Sequence, residues 1–193
     1  LINEFRLLPD SAERAILTSM DDVLIDSLNP SDERAACDLI RRNLSGYEEA
    51  GSVLAATFRR LENFHHLYSV AGSRYLVARD VRKNGEIIGG AGIGPLHGLS
   101  PSEGLGEVRD LVLEKSYRGR GLGTRVLKRC LDEARKMGYQ RLYLETTPQM
   151  ENAQKLFLRF GFRPVTQGSQ RIGKGSPLPC YYILEDLSDA TGS

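Results

Sequence analysis

Residues 116–127, SYRGRGLGTRVL, set Arg118 and Arg120 among Gly119, Gly121 and Gly123 and then run straight into a helical pattern. Glycine costs a helix about 1 kcal/mol per residue against alanine, so three of them where a helix begins need a reason. Free N–H groups at a helix N-terminus point outward, and the macrodipole adds about half a positive charge there. Glycines let an anion reach those amides, and the two arginines add charge, which is the chemistry of a phosphate site. A solvated β-to-α turn uses the same residue types and stays open as the alternative.

Other ligand motifs are weaker. The dinucleotide spacing G-x-G-x-x-G fails, because the glycines fall at 119, 121 and 123. The segment GSQRIGKGS (168–176) imitates a Walker loop, but Gly175 stands where a magnesium-binding hydroxyl is needed, and Pro177 and Pro179 follow instead of a helix. It is expected to be a flexible loop. Cys37, Cys130 and Cys180 lie far apart, and the histidines have no H-x-x-x-H spacing, so no metal site is expected.

The elements that must position the glycine cluster follow from periodicity. A leading helix is expected over 11–20, a strand over 23–28 and a helix capped by Ser31 and running to Leu44. A second helical stretch covers 47–67. Strands at 74–80 and 86–94 flank the Lys83-Asn84-Gly85 turn, a hairpin signal, and 95–104 is a loop. A strand at 106–114 leads into the glycines, a helix fills 121–137, and Gly138 ends it. Strand 141–146, helix 148–160, a short strand at 162–165 and a final strand at 181–187 complete the order. A single mixed α/β domain over 23–187 is therefore expected, with an N-terminal extension at 1–22 and a frayed tail at 188–193. The chain has 193 residues, 40% hydrophobic and 26% charged, with net charge +1, enough for a real core and without a basic field for nucleic acid. No apolar run approaches the ~20 residues of a membrane span, and unpaired cysteines suit a reducing compartment, so a cytoplasmic protein is expected.

With strand, glycine loop and helix in this order, VRDLVLEKSYRGRGLGTRVL (108–127) resembles the acetyl-coenzyme A signature of the GNAT N-acetyltransferase superfamily, R/Q-x-x-G-x-G/A, as Arg118-x-x-Gly121-x-Gly123. AQKLFLRFGF (153–162) resembles the family's second landmark, a helix leading into a Gly-Phe pair. The resemblance spans about 23–187. It implies an acyl-CoA N-acyltransferase fold with a central, mostly antiparallel sheet and helices on both faces. It also implies acetyl transfer from acetyl-CoA to a small-molecule or peptide amine by direct attack in a ternary complex, with no metal. A homodimer is admitted.

The resemblance further implies a role for each site residue. The strand before the loop would pair with the pantetheine arm through Leu111, Val112 and Leu113. The Leu111 amide would stabilise charge on the thioester oxygen. Arg118, Gly119, Arg120, Gly121, Leu122, Gly123 and Thr124 would cradle the pyrophosphate, the glycines clearing space for it. An alkyl ammonium near pKa ~10.4 must lose a proton before attack, and Glu107 aligns with the family's glutamate base, Glu145 being the reserve. Simple alternation puts Glu107, Arg109, Leu111 and Leu113 on one face, unless a bulge intervenes. A Glu107–Arg109 ion pair is the competing role for that carboxylate. Two positions depart from the pattern. Phe157 stands where many members have a tyrosine acid, and Met150 where they have an asparagine, with Asn152 nearby. Tyr143 and Tyr182 are substitute phenols, and Cys130 reads as an inert buried thiol. The missing acid keeps a second reading, a coenzyme A-binding regulatory or sensor module with little turnover. The acceptor side is expected to be lined by Tyr47, His65, His66, Tyr68 and the loops 95–104 and 166–180.

Overall fold

The computed structural model describes residues 22–45, 51–96, 99–165 and 180–190. The expected helix at 11–20, Tyr47, most of the loop 166–180 and the end of the tail lie outside the described residues. Twelve elements follow in chain order: β1 (Val23–Ser27), α1 (Glu33–Leu44), α2 (Gly51–Glu62), α3 (Phe64–Ser69), β2 (Arg74–Asp80), β3 (Glu86–Pro95), β4 (Leu105–Leu113), α4 (Leu122–Lys136), β5 (Arg141–Thr146), α5 (Glu151–Arg159), β6 (Arg163–Pro164) and β7 (Cys180–Leu184). The strands form one sheet in the order β1-β2-β3-β4-β5-β7-β6. Every neighbouring pair is antiparallel except β4 and β5, which are parallel because α4 crosses between them.

Alternating residues of the central strands feed two cores, so helices cover both faces. Leu76 and Ala78 of β2 pack with Leu122, Val126, Leu127 and Leu131 of α4. Tyr75 and Val77, one step along the same strand, pack with Leu39 and Ile40 of α1 and Phe64 of α3. Burial on both sides is why the middle of β2, Tyr75-Leu76-Val77-Ala78, is an unbroken apolar run.

Several expected boundaries move for local reasons. Ser31 does not cap α1; it sits in a short 3₁₀ turn at Pro30–Asp32, and the Asp32 carboxylate accepts from Arg79 Nη2 at 2.7 Å instead. The stretch 47–67 divides into α2 and α3 at Asn63, whose backbone (φ −121°) leaves the helical region. Helix α5 begins at Glu151, because Thr147 to Met150 form a turn closed by the Met150 amide on the Thr147 carbonyl at 3.0 Å. The last strand stops at Leu184, and Asp186 caps the following turn by accepting from the Ser188 amide at 2.8 Å. Gly138 ends α4 as expected: at φ 86° it lets Tyr139 N–H reach the Ala134 carbonyl at 3.1 Å while its own N–H bonds Arg135 at 3.0 Å, a Schellman closure.

β3, EIIGGAGIGP, has glycine where large rings must lie flat on the sheet. A Cβ at Gly90 would come within 2.6 Å of the Tyr75 ring, and one at Gly92 would fall inside the Tyr68 phenol. Gly92→Ala should therefore displace Tyr68 and cost about 1–3 kcal/mol, the usual range for overpacking. Gly85→Ala meets open space and carries only the penalty of its φ of 75°, about 1–2 kcal/mol. Urea denaturation of the two variants should show normal slopes and a broken aromatic cluster, seen in near-ultraviolet circular dichroism, only for Gly92→Ala.

Candidate functional site

The site is organised by one extra residue in β4. Gly90 of β3 faces Val112 and Gly92 faces Arg109, so Asp110 and Leu111 together oppose Ala91. Asp110 adopts φ 51°, left-handed backbone that aspartate tolerates better than branched residues. The bulge reverses which face later residues use. Val108 packs into the core under α4 and α5, whereas Val112, four positions on, packs into the core under α1 and α3. Leu111 and Leu113 turn toward the α4–α5 side, and Glu107 lies toward Arg60 of α2. The simple alternation that put Glu107, Leu111 and Leu113 on one face is thus overturned.

Asp110 is held by three side chains. Its carboxylate, 1% exposed, accepts from Arg60 Nη2 at 2.8 Å and Nε at 3.4 Å and from Tyr68 Oη at 3.0 Å. Its carbonyl accepts from Tyr75 Oη at 3.3 Å. Burial first, and the Asp110 carboxylate second, raise the pKa of both tyrosines well above the usual phenol value, so they remain donors. Sequence reasoning missed this clamp; the one available signal was an aspartate directly before the apolar run Leu111-Val112-Leu113 of β4. His65 has its Nδ1 3.4 Å from Glu33 at the start of α1.

Just before the bulge β4 and β5 separate. Their pairing runs from Leu105↔Arg141 to Val108↔Leu144 and stops. The opening is a cleft whose lining includes Glu107, Leu111, Glu145, Thr146, Met150 and Phe157. Glu107 Oε2 accepts from Arg109 Nε at 2.7 Å, and Arg109 also donates to the Pro95 carbonyl. Burial raises the Glu107 pKa above the usual carboxylate value, and the neighbouring Arg109 charge only partly opposes it. The ion pair weighed for Glu107 is thus present, and the same carboxylate also lines the cleft. Glu145 is exposed and accepts from Tyr143 Oη at 3.0 Å, and Tyr143 stacks on Tyr181 at 5.9 Å. Phe157 is buried, with its ring 6.0 Å from Phe162 and 6.2 Å from Tyr182. Tyr182 donates to Gln154 Oε1 at 3.1 Å, so the proton of each substitute phenol is already engaged. Asn152 stands exposed on the first turn of α5, and Met150 reaches the cleft instead. Cys130 is fully buried with its thiol pKa raised by that burial, and is chemically inert.

The glycine loop sits where β4 ends. Arg118 Nε donates to the Leu113 carbonyl and Nη2 to Asn43 Oδ1, each at 3.0 Å, which fixes the loop to β4 and α1. Arg120 is exposed, and Thr124 Oγ1 accepts from Arg159 at 3.4 Å. Gly119 (φ 75°) and Gly121 (φ 84°) hold left-handed backbone, and a Cβ on either would meet nothing within 4 Å. That open space borders the first amides of α4, Leu122 among them. Gly123 differs. Its Cβ would come within 3.3 Å of Leu156 and 3.4 Å of Leu113, so this glycine lets α4 close onto the core and does not clear ligand space.

Residues 38–162 match the acetyltransferase (GNAT) family, and the chain belongs to it. It is 35% identical over 105 residues to the uncharacterised N-acetyltransferase YjgM of Escherichia coli, a match covering 54% of this chain and 60% of that protein. It is 28% identical over 81 residues to the aminoalkylphosphonate N-acetyltransferase of Salmonella typhimurium, 42% of this chain and 53% of that one. The matches thus span little more than half the length of these relatives. Among solved structures, a GNAT-family acetyltransferase of Staphylococcus aureus superposes with TM-score 0.67 at 19% identity, over 86% of this chain and 99% of that one. A Salmonella typhimurium protein, yncA, solved with acetyl-CoA, gives TM-score 0.64 at 22% identity, over 86% and 94%. These likenesses establish the shared fold, the mixed α/β architecture implied by the two sequence landmarks. Among the described residues, no helix is long and apolar enough to cross a membrane, and no group of three potential metal ligands occurs.

Asp110→Ala removes the partner of Arg60 and Tyr68 and leaves alanine in left-handed backbone. It should destabilise the fold by about 3 kcal/mol. Asp110→Asn keeps both the backbone tolerance and an acceptor, and should cost distinctly less. Chemical denaturation of the two variants checks the order.

Proposed function

We propose that the protein is an acetyl-CoA-dependent N-acetyltransferase acting on an amine. One observation carries the reading: the open, left-handed glycine loop at the start of α4 lies at the end of the bulged strand, and the cleft beside that bulge is lined by Glu107, a carboxylate with raised pKa. The residues fit the cosubstrate. The amides of Leu122, Gly123 and Thr124 begin a helix, Arg118 and Arg120 supply charge, and the space over Gly119 and Gly121 admits a pyrophosphate. Val112 and Leu113 would flank the pantetheine arm along β4, and Phe157 would close the apolar wall.

Acetyl-CoA supplies an activated acetyl thioester when bound. The chain's own residues do the rest. Glu107, raised by burial, is matched to take a proton from an acceptor ammonium, directly or through water, and Arg109 keeps its carboxylate oriented. The Leu111 amide, set by the bulge, stabilises negative charge developing on the thioester oxygen, a contribution of about 3 kcal/mol for a preorganised donor. With Phe157 at the usual acid position and both nearby phenols bonded elsewhere, the leaving thiolate takes its proton from water. Phe157 also favours the second reading, a coenzyme A-responsive module with little turnover, and free-thiol release with a panel of amines separates the two.

Gly121→Val places a branched side chain in the open space and in forbidden backbone. Calorimetric titration should show acetyl-CoA binding lost. Gly123→Val should act differently, lowering stability through its clash with Leu156 and Leu113.

Glu107→Gln should lower the rate by about 10²–10⁴ at neutral pH with coenzyme affinity nearly unchanged. Because the folded-state pKa of Glu107 is raised, the wild-type rate should climb with pH through a limb above the ordinary glutamate value. That limb should vanish in the Gln variant. Its persistence would move the base to Glu145.

A further inference from the structure

Helix α1 carries one polar residue in its buried stripe. Ala36, Leu39 and Ile40 face the core from this helix, and Asn43, two turns after Ala36 and in the same phase, is only 4% exposed. Leucine there would extend the apolar stripe and is the better helix former. An asparagine at this position accordingly answers to something other than packing.

Its side-chain amide has three protein partners. Nδ2 donates to the Leu39 carbonyl at 3.0 Å and to Glu114 Oε2 at 3.3 Å, and Oδ1 accepts from Arg118 Nη2 at 3.0 Å. The set permits one orientation only. A flipped amide would turn its NH2 group on a guanidinium, which can only donate, and its oxygen on a carbonyl and a carboxylate, which can only accept. Glu114 is itself tied down. Arg42 of α1 donates to its Oε2 from Nε at 3.3 Å, and its backbone N–H bonds the Ile88 carbonyl at 2.8 Å.

Arg118 is thereby anchored twice from outside the glycine loop, by the Leu113 carbonyl at the end of β4 and by Asn43 of α1. Two of its five guanidinium N–H groups are used, and the other three have no partner among the described residues. They remain for an anion. A long side chain that is free in solution loses rotamer freedom when it binds a ligand, and one already bonded at two points has less to lose.

Resting on the acetyl-CoA reading above, we infer that Asn43 is a positioning residue for the coenzyme: from α1, and in the orientation that Glu114 sets, it holds the Arg118 guanidinium ready for the pyrophosphate. This assigns the Asn43 side chain to ligand recognition through Arg118 and not to folding.

The test is calorimetric titration with coenzyme A of wild type, Asn43→Leu, Arg118→Ala and the double variant, with thermal unfolding of each unliganded protein. Asn43→Leu should weaken coenzyme A by about three- to tenfold, the worth of ordering one long side chain beforehand. Its unliganded melting temperature should equal or exceed that of wild type, because Glu114 keeps Arg42 and the exposed Arg118 turns to water. Arg118→Ala should weaken coenzyme A further. In that background Asn43→Leu should cost nothing more, since the amide acts only through the guanidinium it holds. Asn43→Ala, which adds no volume, should repeat the affinity loss. Unchanged coenzyme A affinity in both Asn43 variants would overturn the assignment. So would an undiminished loss in the Arg118→Ala background, the mark of an effect spread through α1. Failure of the wild type to bind coenzyme A would instead overturn the acetyl-CoA reading, and the inference with it.

Discussion

The bond set that the site depends on is the one holding Asp110 in left-handed backbone. An aspartate at φ 51° inside a strand is tolerable only when its surroundings compel it, and here Arg60, Tyr68 and Tyr75 do so from α2, α3 and β2. The bulge shifts the phase of β4 by one residue. Val112 goes to one core and Leu111 and Leu113 go to the other, while Glu107 keeps its place on the α2 side. Without that shift the carboxylate and the leucines would compete for a single face. The glycines of β3 belong to the same device, because Tyr68 and Tyr75 reach Asp110 only by lying over positions that have no Cβ.

Electrostatics in the cleft are a compromise between fold and chemistry. Burial disfavours the charged form of Glu107 more strongly than Arg109 restores it, so its folded-state pKa stands above the unfolded one. Its stabilising contribution is therefore present below the unfolded pKa and is lost as pH rises through the folded value. At neutral pH this carboxylate costs stability, and the same shift makes it a better base. Asp110 serves geometry: its side chain is buried further, and its carboxylate accepts from Arg60 and Tyr68.

The glycine loop divides its work between backbone and packing. Gly119 and Gly121 are needed for conformations that side chains resist, and they border open space. Gly123 is needed because Leu113 and Leu156 occupy the volume where its Cβ would stand. Identical residues two positions apart thus answer to different constraints, one set by left-handed backbone beside open space and one by the core. Arg118 joins them mechanically, since its guanidinium ties the end of β4 to Asn43 of α1.

Periodicity alone determined the order of elements, the hairpin at Asn84-Gly85, the stop at Gly138 and the glycine-rich start of α4. Each of these is a local preference of a few adjacent residues, and local preferences survive folding when packing agrees with them. The family resemblance carried by the two landmarks likewise implied the mixed sheet with helices on both faces. Tertiary structure decided the rest: the bulge at Asp110, the bond from Tyr68 to the Asp110 carboxylate, and the separate role of Gly123. The division at Asn63 and the late start of α5 belong here as well. All of these turn on which distant side chain fills a volume or offers a proton, as Arg60 does for Asp110 across fifty positions of chain. Linear spacing carries no record of such contacts, because the energy that selects them exists only once the two faces of the sheet are covered.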